Sequence, residues 1–476
     1  MSFLTRRKTF DQTMEHHGEQ QLRRTLGWPH LVMLGVGAII GTGIYTLIGI
    51  GADRAGPAVI LAFVIAGLVC ACAALAYAEL ATMMPAAGSA YTYSYVTLGE
   101  GLAWIVGWSL ILEYSVVCAA VAVGWSGYLS GFLAAAGFGL PPELLAGPGG
   151  GGIINLPAIL ILWAVAGLLM LGTRESATVN GILVAVKITA LIAFIALALP
   201  AFDADNFTPF MPYGFAAHES GGATRGVMAA AAIIFFAFYG FDAVSTAAEE
   251  TKNPDRDLKI GILGSMGLCT IAYMLVGAAA VGALPFAEIA ASDEPLAHVL
   301  RMLGHPLAAT LIALAAIVAL PTVILAFLYG QSRIFFVMAR DGLLPARLGA
   351  VSRRTGTPIA VTIFTAGAVS VIAGLLPLGE IAELANAGTL LAFVAIGACL
   401  LLLRLRDPLR PRPFRAPLAW LVGSVAIVGC VYLFVSLPTV TQERFLWWNA
   451  LGVVVYLFYG ARASRLARMQ PQPSSG

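Results

Sequence analysis

Two stretches decide how this chain is read: GVGAIIGTGIY, Gly35 to Tyr45, and FAFYGFDA, Phe236 to Ala243. Each interrupts an apolar run with glycine and polar residues, and each opens a block of five apolar runs. A helix broken inside a bilayer leaves N–H and C=O groups without intrahelical partners, which is tolerated only where they line a protein cavity. Matching breaks in two halves of a chain are the sequence sign of a transporter's binding site.

The glycines allow plainer readings. Gly37-x-x-x-Gly41 is also a helix-packing spacing, and Gly35-x-Gly37 resembles part of a dinucleotide fingerprint, which fails here because no strand precedes it. The matching Gly240 favours the unwound site. An unwound first span places Gly41 at the break and exposes the N–H groups of Thr42, Gly43 and Ile44 as a seat for a carboxylate. The carbonyls of Ile39, Phe236, Ala237 and Tyr239 then suit an ammonium. A zwitterion fits both.

Composition places the surroundings. The 476 residues are 59% hydrophobic and 11% charged, too few charges to coat a water-soluble fold of this length. Six cysteines fall inside apolar runs with no CxxC pair, so neither a disulfide framework nor a metal site is expected. No HExxH, paired catalytic carboxylates or Ser/His arrangement points to an enzyme, and no nucleic-acid partner is expected.

Twelve runs are long enough to span a membrane, from Leu31 to Tyr459, the last being short. With the N-terminus inside, 22 of the 27 Lys and Arg fall on the inner segments, leaving Arg54, Arg225, Arg301 and Arg444 outside and Lys187 within a span. That asymmetry puts both termini in the cytoplasm. The expected organisation is all-α: a tail over 1–27, one transporter unit over 28–462 and a tail over 463–476. Within it the first repeat covers 28–200, an inverted second repeat 224–404, and two extra helices 416–460. An odd number of crossings per block forces the inversion.

Four ionisable side chains lie inside spans: Glu79, Glu113, Lys187 and Asp242. Each costs about 2.5–3.5 kcal/mol or more at the bilayer centre and needs a partner or a purpose. Lys187, in VNGILVAVKITALIAFI with Asn180, Val184 and Leu191 on its face, has no local route to snorkel. Burial of an amine disfavours its charged form, so a proton switch and a locked structural cation are both open. Glu113 is either its partner or part of the cavity wall. Glu79 and Asp242 read as structural. The charged loop from Glu249 to Lys259 could pair with Arg333, Arg340 and Asp341 as an inner gate, and Tyr91, Tyr93 and Tyr95 read as packing.

GVGAIIGTGIY, YAELATMMPAAGSAYTYSY (Tyr77 to Tyr95), FFAFYGFDAVSTAAEETKNPDRDL (Phe235 to Leu258) and YGQSRIFFVMARDGLLP (Tyr329 to Pro345), in that order, closely resemble the amino acid, polyamine and organocation transporter superfamily. The closest branch is the cationic amino acid transporter family with its bacterial relatives. The resemblance implies a LeuT-type five-plus-five inverted fold with helices one and six discontinuous, amino acid transport, and binding positions in those two spans. It also implies that Lys187 stands where sodium binds in sodium-coupled relatives, so the proton is the expected coupling ion and no sodium or other cofactor is required. By the same resemblance Leu320 limits the pocket, although Pro321 departs from the pattern.

With Leu320, Phe236 and Tyr239 making a tight apolar pocket, a small or medium neutral L-amino acid is expected over arginine or lysine. Exchange of amino acids, cationic uptake and a non-transporting sensor are the competing readings. The expected setting is the bacterial inner membrane, with the lipid bilayer as partner and a small accessory subunit left open.

Overall fold

The computed structural model describes residues 6–10, 26–86, 88–171, 177–248, 251–350 and 359–469, with backbone alone at 177–180 and 469. The rest of both tails, Glu249, Glu250, Arg174, Arg353, Arg354 and the side chain of Asn180 lie outside the described residues.

Apolar chain in lipid must satisfy its backbone internally, and helices do so. In chain order they are α1 Trp28–Ile39, α2 Thr42–Tyr45, α3 Leu47–Ala55, α4 Val59–Met83, α5 Ser89–Thr97, α6 Glu100–Ala135, α7 Leu156–Met170, α8 Ala177–Ala198, α9 Val227–Ile234 and α10 Asp242–Thr246. There follow α11 Pro254–Ala283, α12 Phe286–Ala290, α13 Pro295–Met302, α14 Pro306–Arg340, α15 Ile359–Leu375, α16 Leu378–Arg406, α17 Ala419–Val435 and α18 Thr439–Val455. A small antiparallel hairpin, β1 His218–Ser220 and β2 Ala223–Arg225, precedes α9.

Among the described residues, seven helical stretches are long and apolar enough to cross a membrane: Leu47–Met83, Glu100–Ala135, Gly181–Ala201, Val227–Thr246, Pro254–Ala283, Pro306–Arg340 and Leu378–Arg406. The pair Ala419–Val435 and Thr439–Arg468, bent by 113°, brings the number to eight if counted as one span, and Trp28–Ile39, Leu156–Met170 and Ile359–Leu375 are shorter apolar helices. This is a multi-pass membrane protein.

Long α6 lies along α14 and α16, while α1 packs on α8 and α11. Pro321 sits inside α14 and cannot donate to the carbonyl of Ile317, so that carbonyl accepts instead from Trp125 Nε1 of α6 at 2.8 Å. The indole thereby stitches the proline turn to its neighbour.

Glu79 on α4 is buried and answers for the end of α16. Its carboxylate accepts from Arg404 Nη2 at 2.6 Å, Arg412 Nε at 3.0 Å and the Ala416 N–H at 2.8 Å. Glu79→Ala strands two guanidinium groups and is expected to cost about 3–5 kcal/mol, read as a lowered melting temperature of the purified protein.

At the same end of the molecule, Lys8 pairs with Asp341, which also accepts from Tyr91 Oη at 2.8 Å. Burial pulls the Lys8 ammonium below the ordinary lysine range, against the attraction of Asp341. Asp341 is therefore engaged by the N-terminal segment, and the expected gate pairing with the charged loop is not its arrangement; Arg333 does reach the Thr246 carbonyl, at 3.3 Å. Tyr91, Tyr93 and Tyr95 are buried packing residues, Tyr95 donating to Glu100. All six cysteines are free and buried.

Candidate binding site at the paired helix breaks

Helix α1 ends at Ile39, Gly41 adopts φ −148° and ψ −148°, and helix resumes at Thr42. The first intrahelical donors beyond the break are Tyr45 N–H to Gly41 O and Thr46 N–H to Thr42 O. The N–H groups of Thr42, Gly43 and Ile44 thus begin a helix as its unpaired first turn. In the second half, α9 ends in a 3-10 turn at Phe235–Ala237, and Gly240, at φ +114°, redirects the chain before α10.

The two breaks interlock. A methyl on Gly43 would sit 2.6 Å from Ala237 Cβ and closer still to its Cα, and one on Gly240 would sit 2.9 Å from the Ala38 carbonyl carbon. Only glycine permits both approaches, and Gly240 also needs the positive φ.

Between the breaks lies a small cavity lined by Ala38, Ile39, Gly41, Thr42, Gly43, Phe236 and Tyr239, with Val117 and Val121 from α6 and Val323 and Phe327 from α14. Six expected residues meet there: Ile39, Gly41, Thr42, Gly43, Phe236 and Tyr239. Ala237 stands behind the wall against Gly43. Leu320 is fully buried and is not among the residues lining this cavity; Val323 and Phe327, one and two turns further along the same face of α14, are. Nothing in the valine-rich runs marks Val117, Val121 or Val323 beforehand, because a lining valine and a lipid-facing valine look alike in sequence.

The hydroxyls of Thr42, Thr46 and Tyr239 are buried without a hydrogen bond. The Ile39 carbonyl accepts from Tyr273 Oη of α11 at 2.8 Å, leaving its second lone pair.

Lys187 is fully buried beside this centre. Its Nζ donates to the Gly37 carbonyl at 2.8 Å and lies 3.4 Å from Thr322 Oγ1, so one side chain of α8 joins α1, two residues before its end, to α14 beside Pro321. Glu113 belongs to another group. Its electrostatic neighbours are Asp242 and Thr389, and its Oε2 has no hydrogen-bond partner. Of the two readings open for Glu113, partner of Lys187 or part of the cavity wall, the geometry gives neither contact: it is not among the lining residues and sits beside the sixth-span turn. There Asp242 accepts from the Gly240 N–H at 3.2 Å and from Tyr114 Oη at 3.0 Å, tying the turn to α6.

Broken helices flanking a small cavity, with helix-end dipoles and an adjacent buried ammonium, define a membrane solute carrier. Residues 26–459 match the family described as amino acid permease. The chain is 46% identical over 453 residues to the branched-chain amino acid permease BcaP of Bacillus subtilis, covering 94% of this chain and 96% of that protein. It is 39% identical over 469 residues to the methylthioribose transporter of Bacillus subtilis (98% and 100%), and 37% identical over 420 residues to the vacuolar cationic amino acid transporter 4 of Arabidopsis thaliana (86% and 68%). The chain belongs to the amino acid permease family of the amino acid, polyamine and organocation superfamily, and is a transporter, not an enzyme.

Proposed function

We propose that this permease imports small or medium neutral L-amino acids by proton symport and alternating access. It does so across a bacterial inner membrane, on twelve spans in two inverted repeats of five, with both termini cytoplasmic. The observation that carries the substrate reading is the cavity itself: helix-start N–H groups from Thr42 onward for a carboxylate, carbonyls at Ile39, Phe236 and Tyr239 for an ammonium, and an apolar wall of Val117, Val121, Val323 and Phe327. Among the described residues no carboxylate lines it, which disfavours a cationic side chain. The similarity to a branched-chain permease points the same way.

Lys187 is the proposed proton-coupling group, in place of sodium, with Glu113 as a second member beside the sixth-span turn. The repeat reading draws support from the two breaks, and the orientation from the distribution of basic residues.

Purified protein in liposomes, with an inward proton gradient, tests the whole. Leucine, valine or alanine is expected to compete at least tenfold better than arginine for uptake, and collapse of the gradient to stop accumulation. Arginine as the strongest competitor overturns the neutral pocket. Uptake seen only into preloaded vesicles assigns exchange instead, and preference for methylthioribose over every amino acid overturns the zwitterion seat.

A further inference from the structure

Helices α8 and α16, the fifth of each proposed repeat, each send one polar side chain into a broken helix. Lys187 follows Gly41 by 146 residues, and Asn386 follows Gly240 by 146 residues. Both side chains are fully buried. Lys187 donates to the Gly37 carbonyl in the last turn of α1; Asn386 Nδ2 donates to the carbonyls of Ala232 at 2.7 Å and Ile233 at 3.2 Å, in the last turn of α9. These carbonyls lie in the last turn of each half-helix, where intrahelical donors run short; the Ile233 carbonyl also accepts from the Phe235 N–H.

We infer that Asn386 is the second-half counterpart of Lys187: a positioning residue that holds the end of α9, and through it Phe236 at the cavity wall, with a clamp that does not titrate. The inference rests on the two-repeat transporter reading above. Its content is an asymmetry between equivalent positions. An ammonium on Gly37 can lose its proton, whereas a carboxamide on Ala232 and Ile233 keeps its donors at every physiological pH. Proton control then acts on α1 alone, while the sixth-span half-helix stays anchored to α16. Asn386 Oδ1 has no partner, so the amide is held by its donor side only.

The titratable groups packed around this stretch of α16 are Glu113 of α6, against Gly388, Tyr239 in the turn, Cys70 and Tyr77 of α4, and the Arg54–Glu383 pair one turn away. None of them is altered by substituting Asn386. Asn386→Ala removes the donor and is expected to raise the KM for leucine about tenfold, with a smaller change in maximal rate and faster hydrogen exchange at residues 235–240. Asn386→Asp adds a readout that a purely structural role would not move. The ionised acid donates nothing, while the protonated acid offers one O–H to the same carbonyls. Its uptake is therefore expected to recover towards acidic pH, with a limb absent from the wild-type profile.

A wild-type pH profile and unchanged KM in the Asp variant overturn the inference, as does an unchanged KM in the Ala variant if the Asp variant does not fold. Failure of the transport reading is seen separately, as wild-type protein that moves no amino acid.

Discussion

Lys187→Ala is expected to abolish uptake driven by a proton gradient while leaving leucine binding in place. The ammonium is fully buried, joins α1 to α14 through Gly37 and Thr322, and lies outside the cavity wall, so its removal need not disturb the ligand's own contacts. What it does remove is the donor on a helix-end carbonyl, a loss of about 1–3 kcal/mol that falls on the arrangement of α1 relative to α14. The measurement is initial leucine uptake in liposomes at fixed membrane potential with the external pH stepped, beside leucine-induced thermal stabilisation of the same preparation. Uptake by the variant should be flat with pH, and stabilisation should persist. A variant that answers the pH step as the wild type does would reject Lys187 as the coupling group.

Gly43→Ala should destroy the site rather than tune it. Its new methyl would overlap Ala237, which belongs to the opposing break, so the collision is with backbone and cannot be relieved by a rotamer change. Forcing an extra carbon into such a contact costs about 1–3 kcal/mol, and here it wedges apart the two segments that supply the ligand's groups. Leucine binding is expected to weaken at least tenfold, with a lower melting temperature. Gly240→Ala should act alike, because a positive φ adds strain of about 1–3 kcal/mol to the clash with Ala38. Gly167→Ala in α7 is the control: beyond its own helix backbone and chain neighbours nothing lies within 4 Å of the added methyl, so binding should not change. Equal behaviour of Gly43→Ala and Gly167→Ala would show that the two breaks are not in contact.

Much of the site was legible because it depends on backbone. Glycine within an apolar run signals a break wherever it occurs in lipid, and Gly41, Thr42, Gly43, Phe236 and Tyr239 come together as the two interruptions predict. Lys187 was conspicuous for a similar reason, since a charge in mid-span is costly and needs a use. Leu320 and the lining Val323 share one face of α14 a turn apart, and on a helix of uniformly apolar residues nothing local marks the depth at which that face meets a cavity. For Glu113 the sequence leaves a partnership with Lys187 and a place in the cavity wall both open, and three-dimensional packing sets it beside Asp242. Neither Tyr273 on the Ile39 carbonyl nor Asn386 on Ala232 and Ile233 carried a signal, since a single polar residue in a span can serve any neighbour within reach.

From its amino acids alone this chain was bound to be a multi-pass helical protein with two interrupted segments and one mid-span ammonium, because the cost of unpaired backbone and of charge in hydrocarbon is local and large. Which side chains close the cavity, which carbonyl receives Lys187, and that the two glycine breaks touch were decided only by tertiary structure. Those are contacts between residues about 150 to 200 positions apart, and they follow from the rotation and depth of each helix against its neighbours, which no uniformly apolar run encodes.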